Sequence, residues 1–228
     1  MTEKQNLKME LLKEFAISTE PESVGFCREA YKFLSEDEAP AEPKQVPQVR
    51  QLPDGVYYTT GHGTAIPYKE VDKAPEDTKG VLVVQGERGI VVALIDAADD
   101  DTELTTQKDP EDCKGNYITK CINAVDDWNG KENTEHLKRV GLHPNIRLED
   151  GQYIPSMGEM LFIFTHRKAI NEALEKADAQ PIGDYWYWTS TEHSATYAWY
   201  LYLIDGYMNI NTKASGSYRV RAVSAFIS

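Results

Sequence analysis

The chain has 228 residues, 41% of them hydrophobic, and 37 acidic residues against 24 basic ones give it a formal net charge of −13. Such an acid excess excludes nucleic-acid backbones and anionic membrane surfaces as partners, because recognising phosphate takes a basic stripe and the chain has none. The length allows one α+β or all-β domain of about 180 residues with an appendage, and no apolar run approaches a membrane span.

The segment from Met1 to Glu14 alternates Lys and Glu with Leu and lacks a seven-residue apolar core, so no secretory signal is expected in it. Cys27, Cys113 and Cys121 are an odd set without metal-ligand spacing, which reads as reduced thiols in a chain folded in a cytoplasm. A Cys113 to Cys121 bridge stays open, as does later arrival at a cell surface or on a virion. Leu7, Leu11 and Phe15, then Val24, Cys27, Tyr31 and Leu34, form amphipathic stripes that predict a helical appendage over residues 1–35. Short helices of this kind need tertiary contacts. They would pack on the main domain, on a partner protein, or on each other in a homo-oligomer.

Residues 36–50, with Glu36, Asp37, Glu38, Pro40, Pro43 and Pro47, read as an acidic, Pro-rich linker. The domain proper then spans residues 51–228. Val56 to Thr60 predicts a strand, and Val81 to Val84 and Ile90 to Ile95 a hairpin buried on both faces. Gly61-His62-Gly63 reads as a turn. The run Asp96, Asp99, Asp100, Asp101, Glu103 lacks the spacing of a calcium loop and reads as a solvated acidic loop. Asn116 to Trp128 predicts a helix with Ile118, Cys121, Ile122 and Val125 inward, followed by a surface stretch to Gly151. Ser156 and Glu159 form an S-x-x-E capping box for a helix carrying Met160, Leu161, Phe164, Ile170 and Leu174.

From Tyr185 onward the period changes to two. Asp184 to Ser228 holds three of the four tryptophans and seven of the thirteen tyrosines, with Asp184, Glu192 and Asp205 balanced by Lys213, Arg219 and Arg221. Trp199, Leu201 and Leu203 alternate with Tyr200, Tyr202 and Ile204; Asp205-Gly206 makes a turn; Tyr207, Asn209 and Asn211 alternate with Met208 and Ile210. An aliphatic inner face would leave Tyr200, Tyr202 and Tyr207 outward among small polar groups, the makeup of a binding surface. A sheet packed on another sheet would show the same alternation.

Tyr187-Trp188-Thr189-Ser190-Thr191-Glu192, Ala198-Trp199, Asp205-Gly206, Lys213 and Tyr218 to Phe226 resemble the C-terminal half of a bacterial C-type-lectin-fold family. This is the Lcl C-terminal-like group, related in fold to formylglycine-generating enzymes. Tyr153 to Met160 resembles its W-x-L-P-S-x-x-E-L element and Ile170 to Leu174 the helix that follows. The resemblance implies an α+β C-type lectin fold of mixed, mainly antiparallel sheets with two helices. Within that family, variable proteins of diversity-generating retroelements carry a tail in which a reverse transcriptase rewrites asparagine codons. The resemblance would place such a variable region over residues 184–221, with Trp188, Trp199, Arg219 and Arg221 as framework. The ligand face would be Tyr185, Tyr187, His193, Thr196, Tyr197, Tyr200, Tyr202, Ile204, Tyr207, Asn209, Asn211, Thr212, Ser215, Ser217 and Tyr218. Trp199, Leu201, Leu203 and Met208 stand between members of that set, whose residue types are ones that asparagine codons can become.

Catalysis is not expected. Formylglycine-generating enzymes use cysteines in the C-terminal region, and every cysteine here precedes Ile122. Trp128-Asn129-Gly130 lacks the acid of a calcium-dependent sugar site. His62, His136, His143, His166 and His193 share no ligand spacing, and no serine is framed as Gly-x-Ser-x-Gly. The expectation is a receptor-recognition protein without cofactor or metal, binding a protein or glycan on a cell or virion surface. The alternative is an attachment or fimbrial protein with one fixed partner.

Overall fold

A computed structural model of the protein describes residues 52–61 and 63–226. The appendage over 1–35, its homo-oligomeric role and the linker over 36–50 lie outside the described residues. Among the described residues nine strands make two sheets. The larger contains β1 (Gly55–Thr60), β2 (Ala65–Pro67), β3 (Thr78–Gln85), β4 (Arg88–Asp96), β5 (Gln152–Tyr153) and β9 (Arg221–Ser224), in the order β2-β1-β3-β4-β9-β5. The smaller contains β6 (Trp186–Glu192), β7 (Tyr197–Tyr202) and β8 (Tyr207–Thr212) in sequence order. Every ladder is antiparallel, and an isolated parallel bridge between Tyr187 and Arg219 joins the sheets. The architecture is α+β.

Among the described residues three α-helices accompany the sheets, where two were expected of the domain: α1 (Cys121–Ala124), α2 (Gly130–Val140) and α3 (Met157–Lys176). The capping box starts α3 as the sequence predicts. The Ser156 N–H donates to the Glu159 carboxylate at 2.7 Å, and the Glu159 N–H donates back to the Ser156 hydroxyl. Burial pushes the Glu159 carboxyl up to about 7, against hydrogen bonds from Ser156 and from the Tyr153 hydroxyl that favour the anion. α3 packs on both sheets. Met157, Met160, Ile163, Ile170 and Leu174 meet Tyr58, Val81, Val83 and Val92 on one side and Tyr187, Leu201 and Leu203 on the other. Each such aliphatic side chain contributes about 1.5–3 kcal/mol of transfer free energy.

The β3–β4 hairpin is buried on both faces over Val81 to Val84 and Ile90 to Ala93, but Ile95 is 63% exposed, within the stretch from Val92 to Asp96 where the β4–β9 register shifts. The helix expected from Asn116 to Trp128 contracts to Cys121–Ala124, and Ile122 points to solvent. Its backbone groups are spent elsewhere: the Ile118 N–H donates to the Glu192 carbonyl at 2.8 Å, and the Ile118 carbonyl accepts from the Trp199 indole at 2.8 Å. Tertiary hydrogen bonds thus replace the helical ladder. The stretch expected to be surface instead holds α2. Its buried stripe is Gly130, Thr134, Leu137 and Val140 with His136, so helical spacing is kept while the apolar signal is diluted.

The acidic run divides. Asp99, Asp100 and Asp101 are exposed as expected, whereas Asp96 is buried against the Arg221 guanidinium at 2.7 Å. Arg221 also donates to the carbonyls of Ala93 and Gln180, tying β4 and β9 to the segment leaving α3. Cys113 and Cys121 are unbridged. Among the described residues no helix is long and apolar enough to cross a membrane.

A candidate ligand face and the charge cluster at its end

Register fixes which side chains share a face of the small sheet. Trp186 pairs with Tyr202 and Trp188 with Tyr200 across β6 and β7; Tyr202 pairs with Tyr207, Tyr200 with Asn209 and Ala198 with Asn211 across β7 and β8. Tyr187, Trp199, Leu201, Met208 and Ile210 take the opposite face, in or against the main core. Gly206, at φ +78°, closes the β7–β8 turn in the left-handed region that glycine enters without penalty.

The outer face is graded from core to solvent. Trp188, Tyr200 and Ala198 are buried with Leu104, Leu137, Ile154 and Val220. Trp186 is the hinge of the open part. Its ring stacks on Tyr202 with centroids 4.2 Å apart and meets Tyr207 edge-on at 6.0 Å and Tyr200 edge-on at 5.1 Å. Tyr218 packs against Tyr200 at 4.5 Å and Trp188 at 4.7 Å, and its hydroxyl accepts from the Asn211 amide at 2.7 Å. Asn209 donates to the Tyr207 hydroxyl at 2.9 Å. Such offset and edge-to-face rings hold one another in place.

Of the residues predicted for the face, Tyr185, Tyr197, Ile204 and Tyr207 are 40–53% exposed, and Ser215 and Ser217 are exposed as well. His193, Thr196, Tyr202, Asn209, Asn211, Thr212 and Tyr218 are half-buried. Four depart from the expectation. Tyr197 and Thr212 pair with each other across β7 and β8 and take the side of Trp199 and Ile210, not that of Tyr200 and Asn209. Tyr187 is wholly buried in the main core, because odd and even positions of β6 face opposite ways and Trp186 and Trp188 hold the outer one. Burial pushes the Tyr187 phenol up to about 12. Tyr200 has the expected orientation but is only 7% exposed, roofed by Trp186, Trp188 and Tyr218.

Trp186 belongs to the face although the sequence reading leaves it out. Its alternation with Trp188, in register with Tyr202 and Tyr200, is the signal that could have found it. Arg219, expected as framework, stacks its guanidinium on Tyr185 at 5.0 Å and pairs with Asp101 at 2.8 Å. It braces the rim of the face. His193, at the far end, packs edge-on against Trp199 at 5.7 Å.

At that same end lies a buried cluster that histidine spacing could not reveal. Lys213, just beyond β8, is fully buried, with its ammonium between the carboxylates of Asp109 and Glu192. His136, from α2, places Nε2 at 3.2 Å from Asp109 Oδ2 and 3.3 Å from Glu192 Oε2. The Tyr117 hydroxyl donates to Asp109 Oδ2 at 2.9 Å. Burial pushes Glu192 up to about 7 although Lys213 opposes it. For Asp109 burial also acts upward, but hydrogen bonds from Lys213, His136 and Tyr117 outweigh it and hold the carboxyl below its ordinary range. Asp109, His136 and Glu192 have the ligand types and proximity of a cation site. The Lys213 ammonium already fills that role.

The loop carrying Asp109 and Tyr117 is sewn to the small sheet through backbone bonds as well. The Asp109 N–H donates to the Ala195 carbonyl, the Lys213 N–H to Thr196, and the N–H groups of Leu104 and Thr105 to the Lys213 carbonyl, all at 2.8–3.1 Å. Gly115 makes the close approach: a Cβ there would fall 2.1 Å from Glu192 Oε2.

No family model matches the chain, and no curated protein matches it. Among solved structures, a fimbrial protein from Bacteroides ovatus ATCC 8483 has a similar fold, with a TM-score of 0.58 at 17% sequence identity over 77% of this chain. The match spans 49% of the fimbrial protein, so this chain is similar to about half of it.

Proposed function

We propose that the outer face of the β6–β7–β8 sheet is a non-catalytic ligand-binding surface for a protein or glycan displayed on a cell or virion, in a domain of the C-type lectin type. The observation that carries it is segregation: the inner face is packed against α3, while Trp186, Tyr202 and Tyr207 pack together on the other side, where Tyr207 reaches solvent. Rigid aromatics beside asparagine and serine make large contact areas at low entropic cost. The two antiparallel sheets with helices against them fit the lectin-type architecture. The fold likeness to a fimbrial protein supports adhesion or attachment as the setting.

Diversification of this face by a retroelement belongs to the same reading. Tyr202, Ile204, Tyr207, Asn209 and Asn211 are half-buried or exposed residues of types reachable from asparagine codons, and the inward Trp199, Leu201, Leu203 and Met208 are the fixed packing between them. A scaffold packed on one side tolerates change on the other.

Labelled full chain applied to a glycan array and to a panel of bacterial cells tests the binding proposal, with a Tyr202→Ser/Tyr207→Ser double variant alongside. Loss of signal in the folded variant is expected; equal signal from both would refute the face. For diversification, the gene neighbourhood should hold a near-copy of the segment coding Trp186 to Ala222, differing only at adenines, beside a reverse transcriptase. Without both, the diversification claim fails.

A further inference from the structure

Lys213, Asp109 and Glu192 are closed off from water, with the lysine and aspartate side chains wholly buried and that of Glu192 3% exposed. An amine and two carboxyl groups are therefore held in mutual contact between segments 104 residues apart, where ionised groups lack hydration and are costly to keep. The surroundings of the two acids differ. Asp109 Oδ2 receives the Tyr117 hydroxyl at 2.9 Å and His136 Nε2 at 3.2 Å, while Glu192 lies within hydrogen-bonding reach of both Lys213 and Asp109.

We propose that Lys213 and Asp109 condense into an intramolecular amide, with Glu192 as the proton carrier. Lys213 passes one ammonium proton to Glu192, and the freed Nζ lone pair attacks Asp109 Cγ to form the C–N bond. Negative charge gathers on Oδ2, where Tyr117 and His136 donate, an arrangement that stabilises a tetrahedral oxyanion. Glu192 delivers its proton to Oδ1, takes a second from the nitrogen and delivers that one too. The C–Oδ1 bond breaks, Oδ1 departs as water, and Oδ2 becomes the amide carbonyl. No oxidant or cofactor is consumed: an ammonium and a carboxylate become an amide and one water, and Glu192 ends as it began. Holding the reacting groups in contact supplies the orientation that an intermolecular condensation lacks.

The bond would weld the loop before α1 to the end of β8, so that the strand at the edge of the ligand face could not be peeled from the body of the domain. Unlike a disulfide, it needs no oxidising compartment.

Intact-mass spectrometry of the denatured full chain tests this directly. The expected mass is one water below the sequence mass, with the deficit mapped to a branched peptide joining Asp109 to Lys213 and no tryptic cleavage after Lys213. Glu192→Gln keeps both reacting groups and should retain the full mass, and Lys213→Arg should do so as well. A folded wild-type chain at full sequence mass would overturn the proposal. So would a branched peptide joining Lys213 to Glu192, or an undiminished water loss in Glu192→Gln.

Discussion

The indole of Trp186 lies flat against the ring of Tyr202, 14° from parallel, so that a residue from each of two adjacent strands forms one aromatic unit at the solvent edge of the small sheet. Cross-strand aromatic pairs of this kind contribute about 0.5–1.5 kcal/mol beyond their buried area. A double-mutant cycle with Trp186→Ala and Tyr202→Ala, followed by denaturant unfolding, should return a coupling energy in that range. Additive effects would mean that the two rings do not act together.

The two tyrosines that depart most from one another in burial should behave oppositely. Tyr187→Ala opens a cavity in the core and is expected to cost about 3–5 kcal/mol, whereas Tyr207→Ser, at a residue 50% exposed, should stay within about 0.5 kcal/mol. Replacing Tyr200, Tyr202 and Tyr207 together with serine should destabilise the fold through Tyr200. Thermal unfolding of the single variants and the triple distinguishes these contributions.

Glu159 gives stability a pH dependence of definite sign. Its carboxyl is raised from 4.5 to about 7 in the folded protein by burial, so between those values the native state holds a proton that the unfolded chain releases. The associated stabilisation is complete below about 4.5 and is lost as pH rises through about 7. It amounts to about 3 kcal/mol, because a tenfold difference in proton affinity between the two states is worth about 1.4 kcal/mol. Melting temperature should therefore fall between pH 5 and pH 8, and the slope should flatten in Glu159→Gln. An unchanged slope in that variant would assign the effect to another group.

Gly115 tests how tightly the charge cluster is sealed. Alanine there would drive Cβ against Glu192 Oε2 and to within 2.9 Å of the His136 ring, so the loop must shift. A loss of about 1–3 kcal/mol is expected, as for other overpacked interiors, read by chemical denaturation. Neutrality would mean that the loop yields freely.

β1, β3, β4, the strands of the small sheet and α3 are legible because their signals are local: β-branched runs, a capping box and strict alternation after Tyr185; β2, β5 and β9 are too short to carry such a signal. The same alternation separates Leu201 from Tyr202 correctly. It also separates Tyr187 from Trp186, a consequence that is lost when every tyrosine of the tail is assigned to the surface. α2 is hidden because Gly130, Thr134 and His136 fill a buried stripe without hydrophobicity, and the helix expected before it shrinks because Ile118 bonds to Glu192 and Trp199 instead of to its own turn. The cluster of Asp109, His136, Glu192 and Lys213 draws on four distant segments, so no spacing rule reaches it. Only the fold brings an ammonium between two carboxylates.

Ligand binding by the face around Trp186 is tested most directly by titrating the full chain, and its Trp186→Ala and Ile95→Ser variants, onto a cell type or glycan that the wild type recognises. Ile95 is an exposed apolar residue on the other sheet, so its replacement controls for nonspecific adhesion. At least about a tenfold loss of affinity is predicted for Trp186→Ala, the scale of an interface hot spot, with wild-type affinity for Ile95→Ser. Wild-type affinity in a folded Trp186→Ala variant would contradict a ligand-binding role for this face.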